Sequence, residues 1–403
     1  MVVMLHLATD LVTVGVLLTL YSFLIGLSGL LPHRAAPAAA PGRLLVVIPA
    51  HNEQAVIADV LQSLQASEYP RERLHLLVLA DHCSDWTVER AVAAGADEIA
   101  QRRSGRGGKQ FALGWLLHEY LSPADLRRWD GVVVVDADNL VHPRMLRGLS
   151  DELAAGAAAV QAALDTRNPE SSWISRAYAA AYWVANLSVQ RSRMRLGLSA
   201  QLGGTGCAIA TWALERIPFR PVTLVDDLEY TLQLIMAGHR VRYCEYPTYD
   251  EKPVTLAASI RQRTRWMRGQ AQLIIRLGPD LAARALLARD LVALDQWLML
   301  WNPVAIVLTC AFFLAVLPQQ GLGGLLVWAI VNGLWNGAFL WRARVPARLA
   351  AVNLGAAMLY SFTWIWPVLS GFLTCTRTGW DHTTHVGAGM APPAPPTREG
   401  VIA

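Results

Sequence analysis

The chain has 403 residues, of which 54% are hydrophobic and only 16% are charged. Soluble domains usually carry about 25% charged residues, so this composition excludes a disordered chain and argues against an ordinary soluble enzyme. The formal net charge is +4, which is too small for the basic surface of a nucleic-acid-binding protein.

The first predicted element is a membrane anchor. Residues 11–31 are almost purely apolar and about long enough to span a bilayer. No Lys or Arg precedes them, so they lack the basic start of a secretory signal. Arg34 and Arg43 follow, and the positive-inside rule then predicts an external N-terminus and a cytoplasmic domain after it. We assign residues 1–41 to this anchor and its linker.

Residues 42–252 are predicted to form an α/β domain. Continuous apolar runs, typical of strands buried on both faces, occur at residues 43–49, 74–79 and 131–135. Residues 51–67 have the apolar spacing of a helix. This alternation predicts a doubly wound, mostly parallel sheet. Ligands of such sheets bind outside the carboxyl ends of the strands, where acidic residues of this chain fall.

The C-terminal part is predicted to enter the membrane again. Apolar stretches long enough to span it lie at residues 291–317, 324–341 and 349–375. Arginines that flank the first two stretches give a consistent in–out–in path. Pro367 interrupts the third, for which a kinked span is a simpler interpretation than a re-entrant segment, and the side of the tail stays open. We assign the rest of the chain to amphipathic interface helices at 253–289, a membrane bundle at 290–376 and a Pro-rich tail at 377–403.

Two aspartates separated by one residue follow the third predicted strand. Asp136 and Asp138 come after a run of valines. A dense negative patch at a strand end is costly unless a positive group lies beside it. Mg²⁺ bound to a diphosphate suits this pattern, because the ion takes one or two carboxylates plus phosphate oxygens. We favour this metal site over a simple polar turn.

Three other positions admit two interpretations each. Asp81 either accepts hydrogen bonds from a base or ribose or caps the following helix. Lys109, one of only two lysines in the chain, follows a Gly-rich stretch that either cradles phosphate or forms a flexible loop. Gly204, Thr205 and Gly206 either let the backbone approach a ligand or make a tight turn.

Two predicted helices carry further candidate residues. Asp226 and Asp227 begin the first, where an acid either complements the helix dipole or supplies a general base. The second is basic and amphipathic and includes Arg265 and Trp266. It either lies against lipid headgroups or directs the arginine to a phosphate and the indole to a sugar, and the two roles are compatible.

Taken together, the motifs VVIPAHNE, ADHCSD, DADN, GGTG, VDDLE and QRTRW occur in this order over about residues 45–270. In this set the chain resembles the membrane-integrated family 2 glycosyltransferases, the group of cellulose, chitin and hyaluronan synthases. The tail sequence GWDHTTH also resembles a W-x-x-T-x-H element that follows the last membrane segment in many relatives. The resemblance implies a GT-A fold, a UDP-sugar donor and Mg²⁺ or Mn²⁺ as the cofactor.

The resemblance also implies a role for each matching residue. Asp227 matches the catalytic base, although the family's T-E-D motif is Val225-Asp226-Asp227 here, which puts details of acceptor binding in doubt. The residues implied to contact the donor are Glu53, Asp81, Lys109, Asp136, Asp138, Gln262, Arg265 and Trp266. Those implied to bind the metal are Asp138 and Asp136, and those implied to border the acceptor are Gly204, Thr205, Gly206, Asp226 and Trp266.

We therefore predict an inverting hexosyl- or N-acetylhexosaminyltransferase in the inner cell membrane. It has several spans and a cytoplasmic catalytic domain, and it extends a polysaccharide or oligosaccharide by a β-linkage. Its partners are the UDP-sugar, a carbohydrate or lipid-linked acceptor and the bilayer, with no nucleic acid. The alternatives are a non-processive transferase acting on a membrane lipid, a receptor that senses nucleotide sugars, and a dehydrogenase, against which the missing G-x-G-x-x-G counts.

Overall fold

The computed structural model describes residues 2–32 and 35–377. Packing divides the chain into two compact units, which we describe separately. The α/β unit contains residues 35–168 and 199–252. The helical unit contains residues 2–32, 169–198 and 253–377. Residues 169–198 fall within the predicted 42–252 domain, but they pack with the helices, where Tyr178 and Tyr360 share a buried cluster.

The strands of the α/β unit form a single eight-stranded sheet in the order β3-β2-β1-β4-β7-β6-β8-β5. Six strands run in one direction, whereas β7 is antiparallel to both of its neighbours and β5 is antiparallel to β8. The predicted mostly parallel sheet is therefore a mixed one. The strand bounds are β1 Leu44–Ala50, β2 Leu74–Asp81, β3 Glu98–Arg102, β4 Gly131–Val134, β5 Leu140–Val141, β6 Ala159–Thr166, β7 Cys207–Ala210 and β8 Val241–Asp250.

Helices occur in both units, and the two longest are in the helical unit. In chain order they are α1 Val2–Leu27, α2 Ile57–Gln65, α3 Thr87–Ala93, α4 Lys109–Trp115, α5 Pro123–Leu126, α6 Met145–Ala154, α7 Trp173–Ala185, α8 Ser192–Arg195, α9 Thr211–Arg216, α10 Asp226–Met236, α11 Leu256–Arg276, α12 Gly278–Leu287, α13 Leu291–Leu300, α14 Asn302–Arg342, α15 Ala347–Phe362 and α16 Ile365–Leu373.

The three strands predicted from apolar runs are present as β1, β2 and β4. Leucine, valine and isoleucine dominate them, and nearly every residue of β1 and β2 is buried, as expected for strands covered on both faces. The helix predicted over residues 51–67 is shorter and begins at Ile57. Asn52 has a φ of 58°, a left-handed backbone conformation that a right-handed helix does not accommodate.

Within the described residues, two helical stretches have the length and composition of a membrane span. They are Thr13–Leu30 and Ala347–Leu373, which correspond to the first and last predicted spans. A third appears only if α13 and the start of α14, which meet at an angle of 46°, are counted as one broken span. Pro367 lies in the first turn of α16, where proline is tolerated, just after the break between α15 and α16.

One long helix replaces two predicted spans. The sequence predicts spans at 291–317 and 324–341 with a polar break between them, whereas α14 continues unbroken through 41 residues. At 1.5 Å per residue such a helix is about 60 Å long, roughly twice the hydrocarbon thickness of a bilayer. The predicted tail begins at residue 377, the last of the described residues, and its GWDHTTH element at 379–385 lies outside them.

A buried ion pair ties three segments of the helical unit together. Arg193 Nε donates to Asp295 Oδ2 at 3.0 Å, and both side chains are almost fully buried. The hydroxyl of Tyr21 donates to Asp295 Oδ1 at 2.8 Å, so helix α1 is held to α13 through the same carboxylate. Burying one of these charges without the other would be costly, so the pair fixes the register of these segments.

Candidate active site

Lys109 lies between the aspartate after β4 and the glycine-rich loop before β7. Its Nζ is ion-paired with Asp136 Oδ1 and donates to the carbonyl oxygen of Gly204 at 2.7 Å. Burial lowers the pKa of Lys109, but the carboxylates of Asp136 and Asp226 outweigh this effect, and the net pKa is raised. The side chain is therefore a fixed positive charge at this edge of the sheet.

Gly204 is the point where the candidate catalytic groups converge. It has a φ of +82°, which favours glycine. A Cβ built on it would lie 3.2 Å from Asp227 Oδ2 and 3.9 Å from Lys109 Nζ. Asp227 is the second residue of α10, and its Oδ1 accepts the backbone N–H of Leu228 at 2.7 Å. The structure thus brings Asp227, Lys109 and Asp136 together around a residue without a side chain.

Thr205 joins this loop to the end of β4. Its hydroxyl oxygen accepts the backbone N–H of Asp136 at 2.9 Å and the side-chain amide of Asn139 at 2.7 Å. Asn139 is fully buried and also donates to Thr248 Oγ1 at 3.0 Å. Gly206 follows with a φ of +60° and packs against Thr248. The predicted acceptor residues Gly204, Thr205 and Gly206 therefore form a rigid turn beside the acidic motif.

The remaining acidic residues lie in the same α/β unit. Asp138 is 8% exposed, and its backbone carbonyl accepts a hydrogen bond from Arg167 Nη1 at 3.1 Å. Asp226 is the first residue of α10 and is partly buried. Asp226 and Asp227 both stand in the first turn of the helix, where its dipole favours negative charge.

Asp81 is committed to protein partners in this structure. It is almost fully buried, its Oδ1 accepts from Arg102 Nη1 at 2.6 Å, and its Oδ2 accepts the backbone N–H of Gly108 at 3.2 Å. The carboxylate therefore joins β2, β3 and the glycine-rich loop that precedes Lys109. Glu53 lies in the turn after β1, where its backbone N–H donates to Thr87 Oγ1 at 2.8 Å.

The three residues predicted from the Q-x-x-R-W motif lie on α11 in the helical unit. Gln262 Oε1 accepts a hydrogen bond from the hydroxyl of Tyr178 at 3.0 Å. Trp266 is partly buried and packs against the cluster that contains Tyr178. Arg265 is partly buried. Met267 and Ala271, which belong to the apolar face of this amphipathic helix, are buried.

The carboxylate oxygens beside Lys109 can hold a divalent cation only if the phosphate oxygens of a bound diphosphate complete its coordination. Among the described residues no group of three or more His, Cys, Asp or Glu side chains is arranged to hold a metal ion alone. Carboxylates are hard ligands, and Mg²⁺ typically takes one or two of them with phosphate oxygens. Asp250 supplies a further buried oxygen, Oδ1, which has no hydrogen-bond partner in the structure. Burial raises the pKa of Asp250, and the charge of Asp136 raises it further. Asp136 lies beside Lys109, and Asp136 and Asp138 stay the residues predicted to hold the ion.

Several residues of this region were not predicted from the sequence. Asp250 ends β8 and is ion-paired with Lys252, the second lysine of the chain. Gln161 in β6 and Arg102 in β3 are buried polar residues that hold loops of the site. A polar residue amid the apolar run AVQAAL was the signal that could have singled out Gln161.

A family model described as glycosyltransferase like family 2 matches residues 41–269, more than half of the chain. The chain is a family 2 glycosyltransferase. The enzyme is similar to the probable glycosyltransferase YdaM of Bacillus subtilis, with 27% identity covering 58% of this chain and 56% of that protein. It is also similar to the β-monoglucosyldiacylglycerol synthase of Trichormus variabilis, with 29% identity covering 56% of this chain and 48% of the relative. The glycosyltransferase thus spans about half the length of these curated relatives.

Among solved structures, the glycosyltransferase is similar to the mannosyltransferase PcManGT from Pyrobaculum calidifontis, described in complex with GDP-Man and Mn²⁺. The TM-score is 0.56 at 20% identity, and the match covers 87% of this chain and 99% of the other. At this identity the likeness establishes the fold alone, a GT-A-like α/β fold with a mixed sheet.

Proposed function

We propose that this glycosyltransferase transfers a sugar from a UDP-sugar donor, with Mg²⁺ or Mn²⁺, and inverts the anomeric centre. The observation that carries the proposal is the convergence of Asp227, Lys109 and Asp136 around Gly204. It combines a carboxylate at a helix start with a fixed cation and with oxygens suited to a metal–diphosphate. The UDP-sugar donor follows from the resemblance of the motifs, and the ion is further supported by the mannosyltransferase PcManGT, whose structure is described with Mn²⁺.

In the proposed reaction, Asp227 takes the proton from an acceptor hydroxyl. The hydroxyl oxygen forms a bond to the anomeric carbon from the face opposite the diphosphate, and the bond from that carbon to the diphosphate breaks. A single displacement converts an α-linked donor into a β-linked product. Asp136 and Asp138 would hold the ion, which when bound supplies charge neutralisation for the leaving diphosphate. Lys109 adds a positive charge beside it.

For the acceptor, we propose a membrane lipid. Its support is the name of the Trichormus relative, a monoglucosyldiacylglycerol synthase, and the presence of helical stretches apolar enough to span a membrane. A growing saccharide chain, as made by cellulose or chitin synthases, is the second candidate, which the Gln262, Arg265 and Trp266 motif favours. The donor and acceptor contacts assigned to these three residues, and to Glu53 and Asp81, stay predictions.

The test measures UDP release by purified enzyme in lipid, with Mg²⁺ or Mn²⁺ and a panel of UDP-sugars. Asp227→Asn should lower the turnover by about 100-fold or more, because loss of a general base typically costs that much. Glu215→Gln, an acidic helix residue of the same unit that is ion-paired with exposed Arg127, is the control and should keep wild-type turnover. Wild-type turnover in Asp227→Asn would exclude this base.

Sizing the labelled product distinguishes the two acceptors. A lipid-soluble product with one sugar supports the lipid acceptor, and a high-molecular-weight product supports the saccharide chain instead. Absence of UDP release above the Asp227→Asn background with every donor, tested with both lipid and saccharide acceptors, would contradict the proposed donor class.

A further inference from the structure

Gln161 is a fully buried amide in the centre of the sheet, and all of its hydrogen-bonding groups are directed at backbone. Its Oε1 accepts the backbone N–H of Gly203 at 2.7 Å. Its Nε2 donates to the carbonyl oxygen of Thr205 at 2.9 Å and to that of Ala162 at 2.9 Å. One side chain therefore holds the residues on both sides of Gly204.

We propose that Gln161 is a positioning residue of the transferase reaction: it fixes the turn Gly203–Gly206 and, through the carbonyl of Gly204, the position of Lys109. This inference rests on the proposed function for the reaction it serves. The chain of contacts runs from Gln161 to the backbone at Gly203 and Thr205, and then from the Gly204 carbonyl to Lys109 Nζ at 2.7 Å.

The chemistry of the position demands an uncharged amide of this length. The turn presents one N–H and one C=O to Gln161, so the side chain must accept and donate at once. A carboxylate at this position would place an acceptor oxygen next to the carbonyl oxygens of Thr205 and Ala162, which would repel it. An apolar side chain of similar size would leave a buried N–H and a buried C=O unsatisfied, which is costly enough to move the loop.

The position of the turn matters because two groups of the proposed reaction contact it. Lys109 has its second anchor at Gly204, and Asp227 Oδ2 lies against the same residue. If the turn moved, Lys109 would lose its fixed position beside Asp136. The distance between the Asp227 carboxylate and the turn would change as well. Misplacement by 1 Å costs a reaction up to about 100-fold, so a buried residue remote from the substrate affects the rate strongly.

The experiment compares Gln161→Met with Thr211→Val in the full-length enzyme. The Thr211 side chain is buried and also donates to a backbone carbonyl, that of Trp129 at 2.7 Å, but it does not contact the turn. Both variants should lose thermal stability, and Gln161→Met should lose more because it removes three hydrogen bonds instead of one. Hydrogen exchange of residues 201–207 should accelerate only in Gln161→Met, and kcat/KM should fall by roughly 10- to 100-fold only in that variant. If Gln161→Met does not fold, Gln161→Asn, which keeps the amide but is too short to reach the turn, replaces it.

A double-mutant cycle with Lys109→Gln shows whether the effect passes through the lysine. Adding Gln161→Met to Lys109→Gln should lower kcat/KM by clearly less than adding it to the wild-type enzyme, because the Lys109 contact is already gone and only the effect through Asp227 remains. Fully additive losses would overturn the coupling to Lys109, and unchanged exchange of residues 201–207 would overturn the positioning role. Wild-type turnover in Lys109→Gln would contradict the role of Lys109. Absence of UDP release by the wild-type enzyme together with faster loop exchange in Gln161→Met would contradict the proposed function and still support the fixed turn.

Discussion

At the scale of single residues, each of the two lysines of the chain is paired with an aspartate. The 35 basic residues include only Lys109 and Lys252, and each is ion-paired with an aspartate of the α/β unit, Asp136 and Asp250. A lysine ammonium is a compact point charge, unlike the planar guanidinium of arginine. The ammonium group of Lys109 and a divalent cation would therefore compete for the same carboxylate, that of Asp136.

Removing the charge of Lys109 should strengthen metal binding before any nucleotide arrives. We expect Lys109→Gln to lower the Kd for Mn²⁺ alone by roughly tenfold, equivalent to about 1.4 kcal/mol, because Asp136 loses its competing cation. Electron paramagnetic resonance titration of free Mn²⁺ measures this without turnover. UDP binding by the same variant should weaken.

Arg127→Gln and Lys109→Arg are the controls for this prediction. The first removes a positive charge from the same unit but leaves the Asp136 pair intact, and the second retains the charge at position 109. Both should keep the wild-type Kd for Mn²⁺. An equal gain in Arg127→Gln would show a general effect of net charge and contradict the competition.

At the scale of elements, the turn before β7 decides the geometry of the site. Gly206 has a φ of +60°, and a Cβ there would lie 2.4 Å from Thr248 Cγ2 on β8. The turn is thus pressed against the neighbouring strand on one side and held by Gln161 on the other. Its glycines are required by close packing as well as by backbone conformation.

Gly206→Ala should destabilise the fold by about 1–3 kcal/mol through overpacking, in addition to the backbone strain of about 1–2 kcal/mol. Gly156 has a φ of +93° and open space around it, so Gly156→Ala should show backbone strain without a clash. Adding Thr248→Ser to Gly206→Ala removes the methyl group nearest to the new Cβ and should restore part of the lost stability. Denaturant unfolding measures all three variants. Equal losses at the two glycines would contradict the predicted clash.

How far these elements could be predicted depends on the range of the interactions that fix them. The apolar runs of β1, β2 and β4 are local patterns, and they predicted those strands. The insertion of β7 between β4 and β6, antiparallel to both, depends on pairing between distant segments that a local pattern does not encode. For the same reason the sequence indicated Asp81 as a candidate but gave no sign that Arg102 and Gly108 bind its carboxylate.

At the scale of the whole chain, the hydrophobic composition is explained by the helical unit. Large apolar side chains are exposed on its helices, among them Leu24 on α1, Leu334 on α14, Leu359 on α15 and Trp366 on α16. Soluble monomers rarely expose so many contiguous apolar groups. The predicted break is not present: α14 continues through one proline at 318 and three glycines at 321, 323 and 324, although these residue types are the least favourable in a helix interior.

We expect the full-length enzyme to remain in the membrane pellet through high salt and through alkaline carbonate, and to be released by detergent. Apolar contact with lipid tails is insensitive to both treatments, whereas headgroup binding by the basic helix α11 is screened by salt. Immunoblotting of the fractions measures the distribution, with a known peripheral protein as the control. Release by salt alone would indicate surface attachment and would contradict the predicted spans.

Because the chain has only two lysines, Lys109 in the candidate site can be labelled selectively with an amine reagent. Besides the terminal amine, a reagent that acylates primary amines meets only two targets in the chain, and of these the Lys252 side chain is 3% exposed and Lys109 23% exposed. The raised pKa of Lys109 keeps the nucleophilic neutral amine scarce, so labelling should be slow at neutral pH and accelerate in alkaline buffer. Occupancy by a nucleotide diphosphate should shield it. A single labelled position, read by mass spectrometry, would then report ligand binding without any engineered handle.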